Sequence, residues 1–213
     1  MNVRLGALSV YLPESRRLLF RLRPKEIVSG TQVLIQGPSG TGKTTLLHLM
    51  AGLFLPSEGY VFVGEQNLSF LSDEARGRLR RQNFGIVFQS LNLLPHLTAL
   101  ENVMLSLRGH AEAKTKATTA LSQLGMESFA GQRTAQLSLG EQQRIAVARV
   151  LAATPSVVLA DEPTSGLDEV NATAVISALL DLPKKPTVVV VSHDHRLRDR
   201  FKEVVDFQDL VTS

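Results

Sequence analysis

Gly37-Pro38-Ser39-Gly40-Thr41-Gly42-Lys43-Thr44-Thr45 is the stretch whose reading decides the fold. It follows the apolar, β-prone run Val33-Leu34-Ile35 and precedes Leu46-Leu47-His48-Leu49-Met50-Ala51, whose composition is helical. The expected local structure is strand, glycine-rich turn, helix. Residues 37 to 44 match the spacing GxxxxGK(S/T), and each fixed position has a physical reason. Glycines let backbone N–H groups turn inward, and the following helix adds the positive end of its dipole. Phosphate oxygens are the natural ligand of such a turn. Lys43 would reach the β- and γ-phosphates of a nucleotide as a point charge, and the Thr44 hydroxyl would take one coordination position on Mg²⁺. Thr45 supplies a second hydroxyl nearby.

Working outward, 213 residues suffice for one substantial core, or for a core with a lobe inserted in it. Hydrophobic content of 44% and charged content of 20% are an ordinary globular balance, which excludes a disordered or fibrous chain. A net charge of +3 is too small to point to nucleic acid or a lipid surface. The densest basic patch, Arg76, Arg78, Arg80 and Arg81, reads as a solvated helix face. The absence of cysteine excludes disulfides and thiolate metal sites. No run approaches the roughly 18 apolar residues needed to cross a bilayer, and the N-terminus lacks a secretion signal, so a soluble, cytosolic chain is expected.

Before the glycine-rich turn, Leu8–Leu12 and Leu18–Leu22 read as a strand pair joined by a loop at Pro13-Glu14-Ser15. After it, Pro56-Ser57-Glu58-Gly59 turns the chain into a strand over 60–64, and Ser72 is positioned to cap a helix running to Arg81. Phe84–Phe88 is a short strand of buried type ending at Gln89. From Leu97 to Arg133 the pattern is helical. Val157–Ala160 and Thr187–Val191 are apolar throughout, as buried parallel strands are, with a helix over 170–182 between them. The expected fold is α/β, with a mostly parallel sheet, an N-terminal antiparallel part and an inserted helical subdomain. Residues 1–88 and 142–213 would form the core of a single domain, and 89–141 the insertion.

The run 157–160 ends in Asp161-Glu162. In parallel sheets the carboxyl end of the strands is where ligands bind, and two acids there would be costly without a task. Asp161 is placed to hold Mg²⁺, directly or through water, and Glu162 to polarise a water for attack on a γ-phosphorus. Leu137-Ser138-Leu139-Gly140-Glu141-Gln142-Gln143-Arg144 resembles the signature motif of the ABC ATPases. Residues 37–45 resemble that family's Walker A, Gln89 its Q-loop, 157–162 its Walker B, Ser165-Gly166-Leu167-Asp168 its D-loop and His193 its H-loop. Six motifs in the family's order span essentially the whole chain.

The resemblance implies a P-loop ATPase in which two such domains sandwich two ATP molecules. Each ATP would meet one chain's turn, with Gly37, Pro38, Ser39, Gly40, Thr41, Gly42, Lys43, Thr44 and Thr45, and the other chain's Ser138, Gly140 and Glu141. Asp168 would border the same nucleotide, and Tyr11 resembles the residue that stacks on adenine. It further implies that Gln89 senses the γ-phosphate and Mg²⁺, and that His193 hydrogen-bonds the γ-phosphate and positions the attacking water. The residues give independent support: Ser138 before a helix from Glu141 to Arg149 is a second phosphate site, for which one chain has no second use.

The stretch 88–103 is similar to that of the lipoprotein-releasing, macrolide-exporter and cell-division ATPases of the family, as is Glu141 in the signature's last place. In the family this apolar region receives a cytosolic helix of a transmembrane permease, and with Ser213 soon after the last expected strand no regulatory domain is expected. The expected chain is an ATP-hydrolysing subunit held at the inner face of the cell membrane by its partner, driving transport or mechanotransmission. The alternative is a soluble ABC ATPase acting as a nucleotide-gated clamp on nucleic acid or the ribosome. Such proteins usually carry two ATPase units or a long insertion, so nucleic acid is not the expected partner. The usual signature has glycine where Leu139 stands; Leu139 is expected to be tolerated. Leu139→Gly should therefore raise steady-state ATP turnover by less than about tenfold, and a larger gain would mark the natural site as attenuated.

Overall fold

A computed structural model of the chain describes residues 1–12, 16–107 and 109–212. Strands β1 (Val3–Leu5), β2 (Leu8–Tyr11), β3 (Leu18–Leu22) and β4 (Lys25–Ile27) open the chain, and β5 (Gln32–Gln36) leads through the glycine-rich turn into helix α1 (Lys43–Met50). β6 (Val61–Val63), β7 (Gln66–Asn67), α2 (Asp73–Asn83) and β8 (Phe84–Val87) follow. The helical segment comprises α3 (Ala99–Met104), α4 (Ala113–Gln123) and the long α5 (Leu139–Ala153). β9 (Val157–Asp161), α6 (Glu169–Leu180), β10 (Thr187–Ser192), β11 (Glu203–Asp206), α7 (Phe207–Leu210) and β12 (Val211–Thr212) complete it.

Five strands form the central sheet in the order β11-β5-β10-β9-β8, with every pair parallel. Their side chains alternate between two apolar clusters. Val188 and Val190 of β10 face α3 to α6, whereas Val189 and Val191 face α1 and the N-terminal strands. Burial on both faces is why these runs are apolar at every position instead of every second one. Two antiparallel sheets, β4-β1-β6-β7 and β12-β3-β2, make up the N-terminal β part. The predicted strand pair is β2 with β3, in register Leu8↔Leu22 and Val10↔Phe20; its loop at Pro13-Glu14-Ser15 lies outside the described residues. Strands β1 and β4 were not legible, each being three residues long and defined by its partners.

Caps set the helix starts. The Ser72 hydroxyl accepts from the Ala75 amide at 3.2 Å, as expected for α2. At α5, Ser138 and Glu141 form a reciprocal capping box, so this helix begins at Leu139, two residues before the sequence expectation. α5 crosses β8 so closely that Gly85 has no room for a side chain. A Cβ there would stand 2.5 Å from Val150 Cγ1 and 2.8 Å from Pro155 Cγ. Gly85→Val should thus cost about 1–3 kcal/mol through overpacking, read as a lower urea midpoint at unchanged m-value.

Candidate active site

The turn after β5 is shaped by glycines in backbone conformations that other residues rarely adopt. Gly40 has φ 78°, and Gly42, the N-cap of α1, has φ 107°. A Cβ on Gly42 would meet the Phe20 ring at 2.7 Å, and that ring is wedged edge-on against Phe207 at 5.5 Å. No side chain caps α1 and no acid occupies its first turn, so its leading N–H groups stay available to an anion. Lys43 is buried and arches back over the turn, donating from Nζ to the carbonyl oxygens of Gly37 at 2.7 Å and Pro38 at 2.8 Å. Thr41 ties the same loop by donating from Oγ1 to Pro38 O at 3.0 Å.

A cavity of about 320 Å³ lies over this turn. Ser39, Gly40, Gly42, Lys43, Thr44 and Thr45 line it, and Gln89, Asp161 and Glu162 enter from the carboxyl ends of β8 and β9. Burial pushes the Asp161 carboxyl above its usual value, opposed by a hydrogen bond with the Thr44 side chain. Glu162, one residue past the strand, is buried with φ 47°, a left-handed conformation uncommon for glutamate. Its Oε1 accepts from the His193 backbone amide at 3.0 Å and lies 2.8 Å from His193 Nδ1. Its Oε2 accepts from Ser192 Oγ at 2.6 Å. Sequence reasoning missed Ser192, because a serine at a strand end carries no pattern of its own.

Other sequence-nominated residues are placed elsewhere. Tyr11 does not line the cavity; Leu12 and Leu19 do. A register shift between Val10 and Tyr11 breaks the alternation that would aim the ring. His193 lines a neighbouring hollow of about 450 Å³ with Ser165, Gly166 and Glu162. Ser138, Gly140 and Glu141 do not line the phosphate cavity. They form the exposed start of α5, where Ser138 Oγ donates to Glu141 Oε2 at 2.8 Å and holds that carboxyl below its usual value. Leu139 is 60% exposed and leans over Gly166, whose added Cβ would stand 3.2 Å from Leu139 Cδ2. Asp168 caps α6 by accepting from the Asn171 amide at 2.8 Å, and Asn171 Oδ1 accepts from Arg144 Nη1 of α5 at 3.0 Å. The start of α5 and the cap of α6 thus form a surface separate from the cavity over the turn.

The family model described as ABC transporter matches residues 25–165, which include the turn, Gln89, the start of α5 and Asp161-Glu162. The chain belongs to the ABC transporter family. This ABC cassette is 44% identical over 185 residues to the lipoprotein-releasing system ATP-binding protein LolD of Legionella pneumophila (strain Paris), covering 84% of this chain and 82% of that one. Identity to the LolD of Xanthomonas oryzae pv. oryzae (strain MAFF 311018) is 43%, over 84% of this chain and 76% of the relative. A solved dimer of the ATP-binding cassette MJ0796 in a post-hydrolysis state, bound to ADP and Pi, superposes with a TM-score of 0.89 at 36% identity. That match covers 96% of this chain and 93% of the other. The ABC cassette fold read from the motifs is the observed one, and the transporter relatives favour an ATPase subunit over a nucleic-acid clamp.

The donors suit Mg²⁺. Thr44 offers a hydroxyl, Gln89 an amide and Asp161 a buried carboxylate without a bonded cation, all hard oxygen ligands. Among the described residues no cluster of three or more His, Cys, Asp or Glu could hold a metal unaided, so nucleotide phosphates would complete such a shell. The Lys43 ammonium, the one side-chain cation among the described residues that line the cavity, carries the binding expectation. Lys43→Ala should weaken ATP binding by at least tenfold, measured with a fluorescent ATP analogue, while the circular dichroism spectrum stays parental.

Proposed function

We propose that this cassette binds Mg²⁺·ATP at the glycine-rich turn, closes on a second copy and hydrolyses the nucleotide to drive a transmembrane permease. The observation that carries the reading is the convergence of Lys43, Thr44, Gln89, Asp161 and Glu162 on one cavity at the carboxyl edge of the parallel sheet. Lys43 leaves the Gly37 and Pro38 carbonyls for the β- and γ-phosphate oxygens. The N–H groups of the turn and of α1 take the remaining charge. Thr44, Asp161 and Gln89 would hold Mg²⁺, which when bound would supply charge neutralisation at the phosphates. Glu162 takes a proton from water as the water oxygen bonds to the γ-phosphorus, and the bond to the bridging oxygen breaks to release ADP. His193, on Glu162 Oε1, orients this base and reaches the γ-phosphate from the neighbouring hollow.

The second surface completes the site in trans. Ser138, Gly140 and the start of α5 from the partner cover the γ-phosphate, and Asp168 and its loop border the same nucleotide. ATP becomes part of the interface, so hydrolysis is the release step.

The permease would dock beside Gln89, on the helical lobe spanning 89–141 together with α1. Phe54 is 56% exposed there, and the His48 ring joins it edge-on at 5.4 Å and reaches Phe88 at 6.0 Å. A partner helix on Phe54 is thus two rings from the residue preceding Gln89. No helix of the described chain is long and apolar enough to cross a membrane, so membrane attachment falls to the permease on its inner face. Among LolD-like systems the cargo class would be lipoprotein.

Glu162→Gln should still bind ATP but lose about 10²- to 10⁴-fold in kcat and accumulate as an ATP-closed dimer. Tagged Glu162→Gln protein, offered detergent-solubilised membranes with ATP and Mg²⁺, should retain a multi-span membrane protein that it releases without ATP. Hydrolysis at the parental rate, or recovery of ribosomes instead, would overturn the proposal.

A further inference from the structure

Ser192 is fully buried at the end of β10, and its hydrogen bonds have only one consistent direction. The backbone N–H of Asp194 donates to its oxygen at 3.0 Å, which leaves the single hydroxyl proton for Glu162 Oε2 at 2.6 Å. The serine cannot drift, because its backbone is paired with Gln36 in the β10–β5 ladder. The turn beyond it is pinned as well. Gln36 Nε2 donates to the Asp194 carbonyl at 3.1 Å, and the Asp194 carboxylate accepts from Thr164 Oγ1 at 3.1 Å and pairs with Arg196 at 2.7 Å. Thr164 lies two residues past Glu162, so the two strand ends are tied together on both sides of the carboxylate.

His193 holds the same carboxylate as well: its backbone N–H donates to Oε1 at 3.0 Å and to Oε2 at 3.3 Å, and its ring, 60% exposed, stands 2.8 Å from Oε1. Glu162 sits outside the strand in a left-handed conformation, with its own amide donating to Val191 O at 2.9 Å. Each hydrogen bond to the carboxylate restricts its side-chain rotations, and a base is effective only when its free lone pair meets the water in line. We propose that Ser192 is a positioning residue for hydrolysis: from the buried side it fixes the orientation of the Glu162 carboxylate, leaving the open side of that carboxylate to water. This rests on the reading of Glu162 as the base.

The test compares Ser192→Ala, Ser192→Thr and Glu162→Gln with the double variant Ser192→Ala/Glu162→Gln, by steady-state and single-turnover ATP hydrolysis, fluorescent-ATP binding and thermal unfolding. Ser192→Ala should lose about 10- to 100-fold in kcat, the range that follows loss of a hydrogen bond to a charged group. Its KM for ATP should stay near parental while its Tm falls by only a few degrees, as loss of one buried hydrogen bond implies, and Ser192→Thr, which keeps the hydroxyl, should recover most of the rate. On the Glu162→Gln background, Ser192→Ala should add no further loss, since the two act through one group. Parental turnover in Ser192→Ala while Glu162→Gln is inactive would overturn this inference alone. So would an equal loss on both backgrounds with weaker ATP binding, which would make the hydroxyl merely structural. Full activity in Glu162→Gln would instead remove the base assignment and the inference with it.

Discussion

The parallel pairing of β10 with β5 on one edge and β9 on the other is the constraint from which the site follows. That ladder sets Gln36 level with Ser192, and Val191 level with Asp161. The turn that begins at Gly37, the acids that close β9 and the pair Ser192-His193 therefore all emerge along one edge. Their separations are set by strand spacing, about 4.8 Å between neighbours, which is the scale of a phosphate group with its hydrogen bonds. The clusters on both faces keep the ladder in place, because Val188 to Val191 are wholly buried and a shifted register would put each against the wrong face.

Around that ladder, burial and polarity are divided sharply. Among the described residues, Lys43, Asp161 and Glu162 are the buried charged ones, and all three lie at the same edge. Each has a local compensation, namely turn carbonyls for Lys43, the Thr44 hydroxyl for Asp161, and Ser192 with His193 for Glu162. These compensations are weaker than the partners a nucleotide and its cation supply, which leaves the edge receptive to both.

Much of this was legible in the sequence. The turn at 37–45 could be read because its chemistry requires glycines at fixed spacing, and the two apolar runs because parallel strands are covered on both faces. The acids at 161 and 162 stood out against the apolar run before them. What escaped was set by tertiary pairing. β1 and β4 are too short to show a period, and nothing in the sequence marks the register shift after Val10 or the place of Leu12 and Leu19 in the cavity lining. Ser192 and the left-handed Glu162 have no local signature, since both acquire meaning only when β9 and β10 lie side by side.

The link from Arg144 through Asn171 to Asp168 joins the start of α5 to the loop beyond β9. That loop is itself bonded back to the base, the Ser165 amide donating to Glu162 O at 3.1 Å. Leu139 against Gly166 and Gly140 against Leu167 close the same seam. In the two-fold arrangement proposed above, the surface that a chain lends to its partner's nucleotide is thereby braced against its own hydrolytic centre. In that arrangement binding of one nucleotide would be coupled to binding of the other, and a rate plotted against ATP concentration would rise as a sigmoid instead of a hyperbola.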